Sequence, residues 1–365
     1  MNNNNVSTTA VVSAQPVTNL NPQSRVLKLA LDVHLHAHVV ALQYDGSSPQ
    51  PPQRFTPKDF LLWVQKRHHA GWKIISCYEA GPFGYGLHRQ LTALGVTNHV
   101  IRPRNWDDAH KRVKTDRTDA LAMLTALDRF IAGNQHALAL VRVPTEAEER
   151  ARTESRLRQS LRKDLQRIAQ RGRGLALQYG YRLKGCWFGP RTWPQLPIPA
   201  WLVQLLTPLH TAATALHQLL QEQTRQLEQH STQPCPKGLG KLTEQLITRE
   251  MCDPKRFHNR RQVSSYLGLC PGERSSGQRQ QRGRITKTGN PRLRWALCEA
   301  AWRLVRFQPN YRLCQKWREQ ILDPKTSAGR KKQLIVALAR GFGVDWWRLC
   351  TGQTTPEKLG LMMAA

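Results

Sequence analysis

The chain has 365 residues, too many for one small domain and enough for two or three. Lys plus Arg number 55 against 25 Asp plus Glu, a formal net charge of +30, and apolar residues make up 40%. Such a surplus repels itself unless a polyanion neutralises it, which excludes an ordinary metabolic enzyme and points to nucleic acid as the partner. No run of about 18 apolar residues and no signal-peptide pattern points to a membrane, and 11 tryptophans argue against a ribosomal-type basic protein.

Residues 1–24 are polar, Asn/Ser/Thr-rich and aperiodic, so a disordered tail is expected. Residues 26–33 and 39–44 are β-rich and close together, which predicts an antiparallel hairpin, with a weak third strand at 53–55. Apolar spacing predicts a helix over 57–69, N-capped by Thr56. A buried strand at 72–78, a helix at 85–94, a strand at 97–102 and a helix at 115–131 follow. Strand, strand, weak strand, helix, strand, helix, strand, helix is the order of the RNase H-like α/β fold, which RuvC-type resolvases share; a doubly wound sheet lacks the initial hairpin.

Residues 145–179 open with T-E-A-E-E, a cap and acidic first turn, and then alternate Arg with Leu as a long basic amphipathic helix. Residues 179–199 are an irregular connector rich in Pro, Gly and aromatics, and 201–230 resume helical periodicity. Two such helices predict an antiparallel hairpin or an oligomerising coiled coil. In the last part, helices are expected from 238, over 257–267, 291–306 and 329–342, while 268–294 is expected as a polar, Gly-rich, basic loop. The organisation expected is a tail (1–24), an α/β domain (25–140), a helical segment (141–232), a mainly α-helical domain (233–350) and a second tail (351–365).

Cutting phosphodiesters with metal ions needs clustered carboxylates. Four stand out in this acid-poor chain. Asp32 ends the strand LKLALD and Glu79 ends IISCYE, while Asp116 and Asp119 share one face of a first helical turn in K-T-D-R-T-D-A. Asp107 and Asp108 compete, but lie in a predicted loop. Ser275 and Ser276, before Gly277 in G-L-C-P-G-E-R-S-S-G, are candidate nucleophiles, with a phosphate-binding loop as the plainer alternative. Arg274, Arg279, Arg282, Arg284, Lys287, Arg292 and Arg294 surround them and suit phosphate charge. His34, His36 and His38 fall in the predicted hairpin turn and are read as solvated, and His68 and His69 as a polar helix end. Trp187, Trp193, Trp201, Trp302, Trp346 and Trp347 are of the type that stacks on bases, although core packing is the commoner use. The eight cysteines form no C-x-x-C pair and no zinc spacing, as expected of reduced cytoplasmic thiols.

The segments LALDV (29–33), YEAGPFGYGLHRQL (78–91), RVKTDRTDAL (112–121), VPTEAEERAR (143–152) and GLCPGERSSGQRQQRGRITKTGNPRLRWALCEAAW (268–302) resemble the insertion sequence 110 transposase family, in its 1111 subgroup. The resemblance spans roughly residues 25–345. It implies a RuvC-like domain with Asp32, Glu79, Asp116 and Asp119 as catalytic ligands of Mg²⁺, with Mn²⁺ as the alternative. It implies that Ser276 attacks DNA and forms a phosphoserine, with neighbouring Ser275 as the rival assignment. It further implies a composite site between the protomers of a dimer or tetramer, DNA partners at the element ends and the target, an element-encoded noncoding bridge RNA as guide, and a bacterial cytoplasmic, nucleoid-associated setting. Two alternatives remain open: a RuvC-like junction nuclease that uses only carboxylates and water, and a non-catalytic nucleic-acid-binding protein. The N-terminal tail and the 185–201 connector match nothing in the family pattern.

Overall fold

The computed structural model describes residues 25–106, 115–230, 234–276 and 279–364, and the chain forms two compact units that meet in sequence between Val143 and Pro144.

The first unit is a mixed five-stranded sheet in the order β3-β2-β1-β4-β5, built from β1 (Val26–Val33), β2 (His38–Tyr44), β3 (Gln50–Phe55), β4 (Lys73–Glu79) and β5 (Thr97–Ile101). β1 runs antiparallel to β2 and parallel to β4, and β5 is parallel to β4. β3 is an edge strand, which its Pro51-Pro52 pair allows because an edge needs fewer ladder donors. Residues 138–141 cover the other edge, where Arg102 N–H donates to Ala139 O and Val141 N–H to Val100 O.

The period of two along β1 separates two cores. Leu27, Leu29 and Leu31 pack with Phe60 and Val64 of α1 (Pro57–His69) and Leu91 of α2 (Gly86–Ala93). Val26 and Ala30 face Ala120, Met123, Leu124 and Leu127 of α3 (Asp116–Ile131). The expected Thr56 cap forms, with Asp59 N–H donating to Thr56 Oγ1 at 3.2 Å. α3 starts from a capping box between Thr115 and Thr118, which fixes its first turn. This mixed α/β architecture agrees with the sequence reading element by element.

The second unit is mainly helical. α4 (Glu146–Gln178) and α5 (Ala200–Gln229) pack as an antiparallel pair: Arg158 near one end donates to Thr224, and Tyr179 at the other meets Trp201 edge-on. The connector is not a loose loop. Trp187 is fully buried between the helices, and its indole N–H donates to Ala169 O at 3.1 Å. Gly172 makes room for it, since a Cβ there would sit 2.2 Å from the indole ring.

The remaining helices, α6 (Lys241–Met251), α7 (Arg260–Leu267), α8 (Pro291–Phe307), α9 (Arg312–Leu322), α10 (Ala328–Cys350) and α11 (Pro356–Leu359), share one apolar core. Three expectations change here. The 268–294 segment is largely an antiparallel ribbon of β6 (Pro271–Ser276) and β7 (Arg279–Ile285), held by backbone pairing that polar residues can also make. α9 was not anticipated. Residues 351–364 are no tail: Leu359 and Leu361 are buried, and Ala364 N–H donates to Cys235 O. Among the described residues no helix is long and apolar enough to cross a membrane.

Candidate active site

The four acids occupy corresponding places in the first unit. Leu31 pairs with Tyr78 across parallel strands, so Asp32 and Glu79 are the next positions at the C-terminal ends of β1 and β4. Both continue the alternation that faces α3, whose first turn carries Asp116 and Asp119.

The structure brings Asp32 and Asp116 together through a residue that sequence reasoning had set aside. His34 Nε2 lies 3.3 Å from Asp32 Oδ2 and 3.3 Å from Asp116 Oδ2. One potential ligand atom from each of the three lies within 4.8 Å of the others. The three histidines of the turn therefore have separate fates. His34 bridges the carboxylates, His36 is exposed, and His38 is buried in β2 against Phe60. The weak available signal for His34 was its position two residues beyond an Asp at a strand end.

Burial raises the Asp32 carboxyl above its ordinary range; His34 opposes this, and the negative fields of Asp116 and Asp119 add to it. Asp119 thus belongs to the same electrostatic cluster. Glu79 shares the edge, but its carboxylate is engaged elsewhere: Oε1 accepts from Trp106 Nε1 at 2.5 Å and from Arg104 N–H at 3.2 Å. The Arg104 guanidinium lies over the Trp106 ring at 3.9 Å. Asp107 and Asp108, the competing pair, lie outside the described residues.

The serine sits in the second unit. Ser276 is the last residue of β6 and pairs with Arg279, and Ser275 pairs with Gln280. Gly277 lies outside the described residues. The ribbon's base is locked to the helices. Thr286 N–H donates to Cys270 O, and Asn290 N–H to Tyr266 O. Gly289 passes so close to this turn that a Cβ would meet Tyr266 O at 2.2 Å and Gly268 N at 2.3 Å. This gives the glycines of G-L-C-P and K-T-G-N a physical reason.

Asn290 then caps α8, accepting from Arg292 N–H at 3.0 Å and Leu293 N–H at 3.2 Å. Its side-chain amide donates to Glu250 Oε2 at 2.9 Å. Glu250 is fully buried and takes a bidentate pair from Arg156 of α4 at 2.7 and 2.8 Å. Burial alone would raise its carboxyl, but Arg156, Asn290 and Arg292 outweigh that and hold it below the usual carboxylate range. This anchor under the ribbon was also missed.

The basic residues divide. Arg274, Arg284 and Lys287 are exposed. Arg279 and Arg282 are β7 positions. Arg292 approaches Glu250 to 4.0 Å, and Arg294 donates to Lys287 O at 3.3 Å, so both serve the fold as well. Among the tryptophans, Trp187, Trp346 and Trp347 are core, Trp193 stacks on His210, and Trp201 and Trp302 are exposed.

The profile of the IS116/IS110/IS902 transposase family matches residues 236–315, which contain the ribbon and α8. Over 307 residues the chain is 30% identical to y4rJ of Sinorhizobium fredii, a protein carried under a transposase name, covering 75% of this chain and 76% of that one. It is 33% identical over 247 residues to y4qE of the same organism, likewise named as a transposase, covering 65% and 60%. It is 25% identical over 287 residues to the transposase for insertion sequence element IS1111A of Coxiella burnetii, covering 73% and 75%.

Proposed function

The chain belongs to the IS116/IS110/IS902 family of insertion-sequence transposases, which cleave and rejoin DNA, and from that premise we propose that it works through a serine–DNA ester, a divalent cation at its acids, and a noncoding guide RNA. The observation that carries the reading is the acidic cluster of Asp32, Asp116 and Asp119 beside His34. An RNase H-like identity for the first unit is part of this proposal. The 3-2-1-4-5 strand order, the initial antiparallel hairpin and the strand-end acids support it.

The donor set suits Mg²⁺ or Mn²⁺. Carboxylates are hard oxygen ligands; burial first, and then the negative fields of Asp116 and Asp119, lift the Asp32 carboxyl, and a cation would offset both. Asp32, Asp116 and Asp119 would hold it, and Glu79 would join on release from Trp106 and Arg104. Bound there, the cation supplies positive charge to offset the charge that develops on phosphate oxygens.

The Ser276 hydroxyl is the proposed nucleophile. Its oxygen forms a bond to phosphorus as the phosphorus–sugar oxygen bond breaks; the serine loses its proton and the leaving sugar oxygen gains one. The ester preserves the bond energy, so a second sugar hydroxyl rejoins the strand without an external energy source. Arg274, Arg284 and Lys287 bind the DNA or RNA backbone by charge. Homodimer or homotetramer assembly, and target choice by the guide RNA, complete the proposal.

The test uses purified protein, element RNA, Mg²⁺ and labelled element-end DNA on a denaturing gel. A covalent protein–DNA band is expected, lost in Ser276→Ala and in Asp116→Ala, while both variants still bind DNA. Cleavage without such a band, undiminished in Ser276→Ala, would give the chain to the metal-and-water nuclease mechanism instead.

A further inference from the structure

The second unit holds a site that neither the serine ribbon nor the acids use. α4 and the start of α8 border a cavity of about 560 Å³, within the size range of ligand sites. Gln159, Arg162, Lys163 and Gln166 line it from α4, and Arg292 and Trp295 from α8. The α4 positions are three or four residues apart and form one stripe.

Its charge is one-sided. No carboxylate lines this cavity, and among the described residues none forms an ion pair with Arg162 or Lys163; Glu228 and Glu299 line the adjoining cavity on the other side of Arg162 and Trp295. Arg292 stands only at the rim of Glu250, which Arg156 already holds. One turn earlier on α4, burial and then the neighbouring Arg162 charge push the Arg158 guanidinium down.

Trp295 adds the second observation. It is 46% exposed, and the Arg162 guanidinium lies 5.8 Å from its ring centroid. An open indole face beside cations that no carboxylate of the cavity neutralises offers a stacking surface and phosphate-binding charge together. An unpaired nucleotide answers both, because its base stacks on the indole while its phosphates meet the cations. A duplex keeps its base faces stacked internally, and acidic side chains offer no flat ring.

We infer that this cavity binds single-stranded nucleic acid, with one unpaired base on Trp295 and the flanking phosphates on Arg162, Lys163 and Arg292. The inference rests on the transposase reading, which supplies both opened DNA and a guide RNA, and it states where an unpaired stretch is held.

The experiment is fluorescence anisotropy on the full chain, with labelled single-stranded RNA and DNA of one mixed sequence and the matching duplexes. Trp295→Ala should weaken single-strand binding roughly 5- to 150-fold and leave duplex binding nearly unchanged. Trp295→Phe should recover most of the loss, and Trp201→Ala should show none. Arg162→Ala should weaken binding and reduce the salt slope by about one. Loss on RNA alone, on DNA alone or on both identifies the source, and each outcome supports the site. Single-strand affinity unchanged in Trp295→Ala, or equal loss on strand and duplex, overturns it. Photocrosslinking of thio-substituted oligonucleotides to the unaltered protein needs no variant: adducts on α4 and on the Trp295 peptide are expected, and adducts found only elsewhere count against the site. The serine–ester assay is scored separately. Ser276→Ala should retain single-strand binding, so failure of the ester mechanism does not mimic failure of this site.

Discussion

Glu250 shows how much can rest on one side chain. It is fully buried, yet it joins α4, α6 and the cap of α8 through Arg156 and Asn290. Removing one partner of a fully buried ion pair costs about 3–5 kcal/mol. The Arg156 side chain is 39% exposed and regains hydration, so Glu250→Gln should cost on the order of 2 kcal/mol at neutral pH in thermal unfolding. The pH dependence has a definite sign. The folded carboxyl lies below its ordinary 4.5, so its stabilising contribution is complete above that value and is lost as pH falls through the lower folded value. The gap between the native protein and Glu250→Gln should therefore close in acid below about pH 4.5; a gap that widens there would refute the assignment. None of this was legible from sequence, where Glu250 is one acid in a helix. The placement of Asp32 and Glu79 at strand ends, and of Asp116 and Asp119 in a capped first helical turn, was legible from sequence. His34 was not, because its surroundings depend on α3 docking some eighty residues later in the chain.

At the scale of elements, the connector between α4 and α5 is held by a matched pair, a large indole and the absence of a side chain. Gly172→Ala should destabilise the second unit by about 1–3 kcal/mol through overpacking. In a Trp187→Leu background the same change should cost far less, because the ring it strikes is gone. Equal penalties in both backgrounds, measured by chemical denaturation, would mean that Gly172 serves only helix geometry. Most elements of the first unit were readable because β1, β2 and β4 are largely apolar runs and α1 and α3 carry Thr caps; β3, a polar edge strand, was only weakly legible. The β6–β7 ribbon was not readable. Its strands are polar, and pairing and the close passage at Gly268 and Gly289 hold it rather than a hydrophobic period. α8 was placed correctly in sequence, but periodicity does not reveal which flank its neighbours leave open, and so Trp295 went unnoticed.

The molecule as a whole carries a formal charge of +30, and that charge makes a prediction independent of any residue assignment. Six or more phosphate contacts should lower nucleic-acid affinity roughly 10³-fold or more between 50 and 200 mM salt. A titration by filter binding that shows less than a tenfold drop would mean that most of the surplus lies away from the bound strand. The two units have separate hydrophobic cores, two on the faces of the sheet and two in the helical part. The division at Val143 and Pro144 was nearly legible, since the capping box at Thr145 marks where the sheet unit ends and the long helix begins.

The pleat of β1 carries a safeguard in how the chain matures. Asp32 faces α3 only because Leu27, Leu29 and Leu31 face the other way. A slip of one residue against β4 would turn that acid toward α1 and α2 and bury leucines on the wrong side. The proposed acids also span positions 32 to 119, so a nascent chain lacking α3 holds an incomplete set. On the proposed reading, a complete acid set exists only in finished, correctly zipped protein, which couples the proposed cation site to the last step of folding of the sheet unit.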